Sequence, residues 1–100
     1  MQEIDTGRLA AELDAGGTLV DVREPREYAG GHVPGAVNIP MGRLPGRLGE
    51  LDRSAPVYVI CATGNRSSAM AQFLIGAGFD ALNVAGGTSA WIRSGRAVQQ

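Results

Sequence analysis

VYVICATGNRSSAMAQFL, residues 57–74, runs from a β-branched strand through a glycine-bearing turn into a helix. It sets the chain's only cysteine, Cys61, at the join. PVYVI, residues 56–60, has no polar alternation, the pattern of a strand covered on both faces. ATGN, residues 62–65, is built of turn formers. From Ser67 the spacing predicts a helix, because Ala69, Met70, Phe73, Leu74 and Ala77 fall on one face. Gly78 supplies its C-terminal stop. A doubly buried strand passing straight into a helix is the building unit of a parallel α/β sheet.

The same alternation continues in both directions. Upstream, Asp5 or Thr6 caps a helix that carries Leu9, Ala10 and Leu13 on one face, and Gly16 and Gly17 end it. TLVDV, residues 18–22, reads as a short buried strand. Pro25 opens a brief helix, PREYA, closed by Gly30 and Gly31. AVNIP, residues 36–40, is a second short strand stopped by Pro40. RLPGRLGEL, residues 43–51, is a weak helix, because Pro45, Gly46 and Gly49 all oppose it. Downstream come a strand over Ala81–Val84 and a short helix over about Thr88–Ser94. These intervals predict an α/β fold, a largely parallel sheet with right-handed connections and helices on both faces. One domain over residues 1–100 is expected, without repeats or linkers. In such a sheet the ligand lies beyond the carboxyl ends of the strands, which is where Cys61 falls.

Composition narrows the chemistry. Apolar residues make up 44% and charged residues 19%, a globular balance. The net charge of −1 gives no field that would attract nucleic acid or an anionic membrane. All nine basic residues are arginine, which excludes Schiff-base chemistry on lysine. The N-terminus has neither a basic start nor an apolar stretch of signal length. PVYVICA, the longest apolar run with strand character, is too short to cross a bilayer. A single cysteine forms no internal disulfide, so a reducing, cytoplasmic setting is expected. Met1 fits a natural start and equally a domain cut from a longer chain.

Three features around Cys61 favour its thiolate. The N-terminus of the following helix offers unpaired N–H groups and partial positive charge. Gly64 lets successive amides converge as an anion nest. Arg66 adds a permanent charge nearby. Lowering a cysteine pKa from about 8.5 to about 6.5 takes roughly 2.7 kcal/mol. A helix terminus contributes about 0.3–1 kcal/mol, or up to about 2 when partly buried. The dipole alone is therefore too weak, and the amides and Arg66 are needed with it. The competing reading is a small buried hydrophobe at a strand end.

CATGNRS resembles the active-site loop of the rhodanese-like sulfurtransferases. LVDVREPREYAGGHVPGAVNIP is similar to that family's N-terminal signature, and NVAGGTSAW resembles its C-terminal one. The resemblance covers nearly the whole chain. It implies a three-layer α/β/α fold with a mostly parallel central sheet of about five strands. It also implies that Cys61 takes sulfane sulfur as a persulfide and passes it on in a ping-pong scheme. Ala62, Thr63, Gly64, Asn65, Arg66 and Ser67 then form the binding loop, and Arg66 closes it and orients an anionic donor. Asp21 and Arg23 support the site. No metal and no organic cofactor are implied. The partners expected are a small sulfur donor and a thiophilic acceptor, either cyanide, a thiol or a sulfur-accepting protein.

Two alternatives stay open. A cysteine phosphatase or arsenate reductase has one more residue between cysteine and arginine than the four present here, and the chain has no second cysteine to resolve an intermediate. A non-enzymatic carrier or regulatory binding module is the other. His32, in GHVPGA, is read as architectural, Trp91 and Tyr28 as packing, and Gly86 and Gly87 as allowing close backbone approach. Thr63 and Asn65 are read as bordering the mouth of the cradle, where they either tune the donor or simply face water. Two departures from the family are Ala62, where thiosulfate-preferring members carry a basic residue, and Ala97, in place of a common proline.

Overall fold

The computed structural model describes residues 2–100, so Met1 and its reading lie outside the described residues. In chain order the elements are β1 (Gln2–Ile4), α1 (Thr6–Asp14), β2 (Thr18–Asp21), α2 (Pro25–Ala29), β3 (Val37–Asn38), a 3-10 segment (Leu44–Glu50), β4 (Val57–Ile60), α3 (Asn65–Gly76), β5 (Ala81–Val84) and α4 (Gly87–Arg93). The five strands form one sheet in the order β1-β5-β4-β2-β3, with every pairing parallel.

The three layers follow from side-chain alternation along β4, which is buried throughout. Val57 and Val59 point to one face and pack with Leu44 of the 3-10 segment and Ala71 and Leu74 of α3. Tyr58 and Ile60 point to the other face and pack with Leu9 of α1 and Trp91 of α4. Apolar residues on both sides of the sheet are thus covered, as an uninterrupted hydrophobic strand requires.

Four details depart from the sequence reading. β1 carries no strand signal of its own: only Ile4 of its three residues is buried, and it gains its place by pairing with the edge of β5 in the register Ile4↔Val84. β3 shortens to Val37–Asn38, since Ala36 is tied back in a turn to Val33 and Pro40 has no N–H to give. The 3-10 segment replaces a regular helix and breaks at Arg47. α3 starts two residues early, at Asn65, and buries Ser67, Ala71 and Leu74. Phe73, expected in the core, is instead 37% exposed. The stripe is turned because the polar Ser67 is drawn inward by partners at the sheet's carboxyl edge.

Among the described residues, no helix is long and apolar enough to cross a membrane.

Candidate active site

Cys61 follows the last residue of the central strand, and only 1% of it is exposed. Its side chain continues the Val57–Val59 alternation into the core. Gly64 then takes φ +108, a conformation that L side chains rarely adopt, and turns the chain into α3. The turn brings the Gly64 N–H to 3.1 Å from Cys61 Sγ, while Ser67 Oγ lies 3.2 Å from the same sulfur. The backbone N–H groups of Thr63 and Ser67 also act on the sulfur, each favouring its charged form. The Ser67 amide belongs to the first turn of α3, where N–H groups have no partner in their own helix. An anionic sulfur beside that turn is favoured by it.

Opposing effects act on the thiol. Burial pushes it up, and hydrogen bonds from the Ser67 hydroxyl and the Ser67, Gly64 and Thr63 amides outweigh burial, leaving it below the ordinary cysteine value.

The loop is held from outside by its carbonyls. Thr88 donates to the Cys61 carbonyl through both N–H (2.9 Å) and Oγ1 (3.1 Å), and the Ser89 N–H donates to the Ala62 carbonyl at 3.0 Å. The Asn83 side-chain amide donates to the Gly64 carbonyl at 3.2 Å. In a trans peptide the C=O and N–H point opposite ways. Turning the Ala62 carbonyl outward therefore turns the Thr63 N–H inward, toward sulfur. This clamp needs glycine at position 87, with φ +60, where a Cβ would stand 2.5 Å from the Cys61 carbonyl oxygen and 2.7 Å from that of Ala62. The close approach to the loop read from Gly86 and Gly87 is present at Gly87, whereas a Cβ at Gly86 would meet Ala90 Cβ of α4 at 2.7 Å.

Arg66 has a partner that the sequence reading lacked. Its guanidinium donates to Glu27 Oε1 at 2.7 Å and Oε2 at 2.9 Å. Glu27 Oε1 also accepts the Glu24 N–H at 3.1 Å, at the start of α2. The Arg66 bonds hold the Glu27 carboxyl at about 2, and the pairing pushes Arg66 further up. The positive charge beside the thiol is thereby balanced. Nothing local in the sequence signals this pair. The Glu24–Glu27 spacing marks a helix start and says nothing of an arginine 39 residues on.

Asp21 and Arg23 lie buried behind the site. Arg23 Nε and Nη2 grip the Asp21 carboxylate at 3.0 and 2.8 Å, and Nη2 also donates to the Gly31 carbonyl at 2.9 Å. Asn38 ties their backbone carbonyls together at 2.9 and 3.0 Å. Of the remaining loop residues, Ala62 is half-buried, and Thr63 and Asn65 are exposed. His32 stacks on Tyr28 with ring centroids 3.7 Å apart and donates from Nδ1 to the Tyr28 carbonyl at 2.8 Å. Trp91 packs on the sheet and donates to the Ala97 carbonyl at 2.9 Å. Among the described residues, no group of three or more His, Cys, Asp or Glu could hold a metal ion. A separate cleft of about 520 Å³ beyond β2 and β3 is lined by Glu24, Pro25, Asn38, Pro40, Gly42, Arg43 and Arg47, and the thiol does not line it.

A family model described as the rhodanese-like domain matches residues 5–94, which include the whole clamp. The chain belongs to the rhodanese-like domain family. It is similar to a Bacillus subtilis (strain 168) protein named "Putative sulfurtransferase YtwF", with 39% identity over 91% of this chain and 90% of that protein. Among solved structures, it resembles a rhodanese-related protein from Thermoplasma volcanium at TM-score 0.92 and 36% identity, covering 99% of this chain and 98% of the other. It also superposes on part of a thiosulfate sulfurtransferase from Pseudomonas aeruginosa at TM-score 0.91 and 28% identity, covering all of this chain and 20% of that one. In this rhodanese-like domain, then, Cys61 and its amide ring sit at the carboxyl edge of a family sheet.

Proposed function

We propose that the chain is a sulfurtransferase in which Cys61 carries sulfane sulfur as a persulfide. The observation that carries this reading is the ring of neutral donors closing on Cys61 Sγ, with the Gly64 amide at 3.1 Å. Such a ring favours an anionic sulfur without a base. With thiosulfate as donor, the Cys61 thiolate attacks the outer, sulfane sulfur. The new S–S bond forms as the donor's S–S bond breaks, and sulfite leaves with the electron pair. The charge then rests on the outer sulfur of the persulfide. An acceptor such as cyanide attacks that sulfur next; the persulfide bond breaks, thiocyanate departs and the Cys61 thiolate is restored. Ala62, Thr63, Gly64, Asn65, Arg66 and Ser67 form the cradle, Asp21 and Arg23 brace it, and neither metal nor organic cofactor takes part.

The similarity to proteins named as sulfurtransferases supports the reading. The loop length supports it as well, because four residues between Cys61 and Arg66 make a smaller ring than a phosphate-sized cradle needs. The donor is a small sulfane-sulfur compound or a persulfide, and the acceptor a thiol, cyanide or a sulfur-accepting protein.

Intact-protein mass spectrometry after incubation with thiosulfate tests it. A gain of about one sulfur atom (about 32 Da), reversed by cyanide and absent in Cys61→Ser, is the expected result. No gain from thiosulfate, from a cysteine-desulfurase persulfide or from mercaptopyruvate would overturn the proposal.

A further inference from the structure

Behind Ser67 lies a polar chain that the sulfur chemistry above does not use. Ser67 Oγ is 3.2 Å from Cys61 Sγ and 2.5 Å from Asn83 Oδ1. The Asn83 amide cannot be reversed to relieve this. Its Nδ2 faces the Gly64 carbonyl at 3.2 Å and Glu3 Oε2 at 3.0 Å, and both of these only accept. Oδ1 is therefore committed to Ser67. A serine hydroxyl has one hydrogen, so it can serve the Asn83 oxygen or the Cys61 sulfur, but not both at once. All three side chains are buried, where an unmet acceptor is costly and no solvent stands in.

We propose that Asn83 is a positioning residue that competes with Cys61 for the Ser67 hydrogen, making the hydroxyl a two-position switch set by the charge on the sulfur. While Sγ is neutral, as thiol or as the inner sulfur of a persulfide, the hydroxyl donates to Asn83 Oδ1. A thiol hydrogen can then donate to Ser67 Oγ. When Sγ becomes a bare thiolate, the hydroxyl rotates to it and Asn83 Oδ1 loses its donor. Asn83 thereby limits how strongly the cradle favours the thiolate. That limit has a chemical use, because a thiolate's nucleophilicity falls as its pKa falls and attack is fastest with a pKa near ambient pH. The inference rests on the sulfur-carrier reading only for the use of the switch; the competition itself is a property of the free protein.

The test is the pH profile of Cys61 alkylation by iodoacetamide, which requires no sulfur donor. Ser67→Ala removes the donor and should move the midpoint up by about half to one pH unit. Asn83→Leu removes the competitor and should move it down by a similar amount, while the Gly64 carbonyl keeps the Ser68 N–H at 3.2 Å. The double variant should match Ser67→Ala, because without the hydroxyl Asn83 has nothing to withhold. The other charges about the thiol, Arg66 with Glu27 and Arg23 with Asp21, are common to all variants; Glu3 loses its Asn83 contact wherever Asn83 is replaced. Asn83→Ala, which deletes the same oxygen without risk of overpacking, is the substitute if the leucine variant does not fold. A midpoint that rises or stays put when Asn83 is replaced, or a double variant unlike Ser67→Ala, would overturn the switch. Failure to take up sulfur from any donor would instead defeat the sulfurtransferase reading and leave these shifts in place.

Discussion

Gly87→Ala tests the clamp that shapes the cradle. The added Cβ would meet the Cys61 carbonyl oxygen at 2.5 Å and the Ala62 carbonyl carbon and oxygen at 2.7 Å, all of them backbone atoms. No side chain can swing aside, so either the loop or the start of α4 must shift. Two costs add. Holding an L-residue at φ +60 costs about 1–2 kcal/mol, and overpacking a tight contact costs about 1–3 kcal/mol. For a domain of this size the sum, about 2–5 kcal/mol, lowers Tm by roughly 8–40 °C, at about 4–8 °C per kcal/mol. Gly16→Ala is the matched control, since Gly16 has φ +93 and nothing within 4 Å of a Cβ, leaving only the backbone cost. Thermal melts followed by far-UV circular dichroism should therefore place Gly87→Ala clearly below Gly16→Ala. Iodoacetamide profiles should show the thiol midpoint raised in the first variant alone, because displacing the Cys61 and Ala62 carbonyls turns the Thr63 amide away from sulfur. Equal melting points for the two variants, together with an unmoved thiol profile, would refute the claim that α4 shapes the loop through this contact.

Cys61→Ser should abolish sulfur loading in the mass-spectrometric assay and leave Tm within a few degrees, since serine is nearly isosteric; retained loading would place the chemistry elsewhere. Arg66→Ala leaves the Glu27 carboxylate unbalanced near the sulfur, so the thiol midpoint should rise by about half a pH unit or less, whereas Glu27→Gln should lower it; shifts of one sign in both variants would mean that charge is not the cause. The Glu27–Arg66 pair also sets a pH window for stability. Glu27 falls from 4.5 to about 2 in the fold, so its stabilisation is complete above pH 4.5 and lost as pH drops through about 2. Both side chains are about a third exposed, and solvent screening reduces the pair to about 1 kcal/mol. The Tm gap between the parent chain and Glu27→Gln should accordingly narrow between pH 4.5 and 2, and a constant gap would count against the pair.

Local signals carried most of the architecture. The uninterrupted apolar run before Cys61 read correctly as a doubly covered strand, and the glycine and proline punctuation around TLVDV, PREYA and the Ala81–Val84 strand placed those elements within a residue or two. What stayed hidden depended on distant partners. β1 is three residues with one buried side chain, and its strand character comes from the β5 edge. The buried face of α3 is turned from the one its apolar spacing marks, because that spacing treats Ser67 as a surface residue, whereas bonds to Cys61 and Asn83 make it core. Glu27 and Asn83 were missed as site residues for the same reason: each meets the loop across the fold.

Those missed residues change the electrostatic account of the sulfur. Arg66 is balanced by Glu27 and Arg23 by Asp21, so neither arginine leaves an unpaired positive charge near Cys61. What favours the anion is a set of neutral donors, three amides and one contested hydroxyl. Under the proposed persulfide cycle the negative charge moves outward by one S–S bond, about 2.05 Å. A single fixed cation hydrogen-bonded to Sγ would stabilise one end of that displacement at the expense of the other. A ring of amides, together with a hydroxyl that can release Sγ for Asn83, can follow the charge between the two sulfurs. Pairing the arginines away from the thiol is therefore consistent with a loop that must both receive sulfur and give it up.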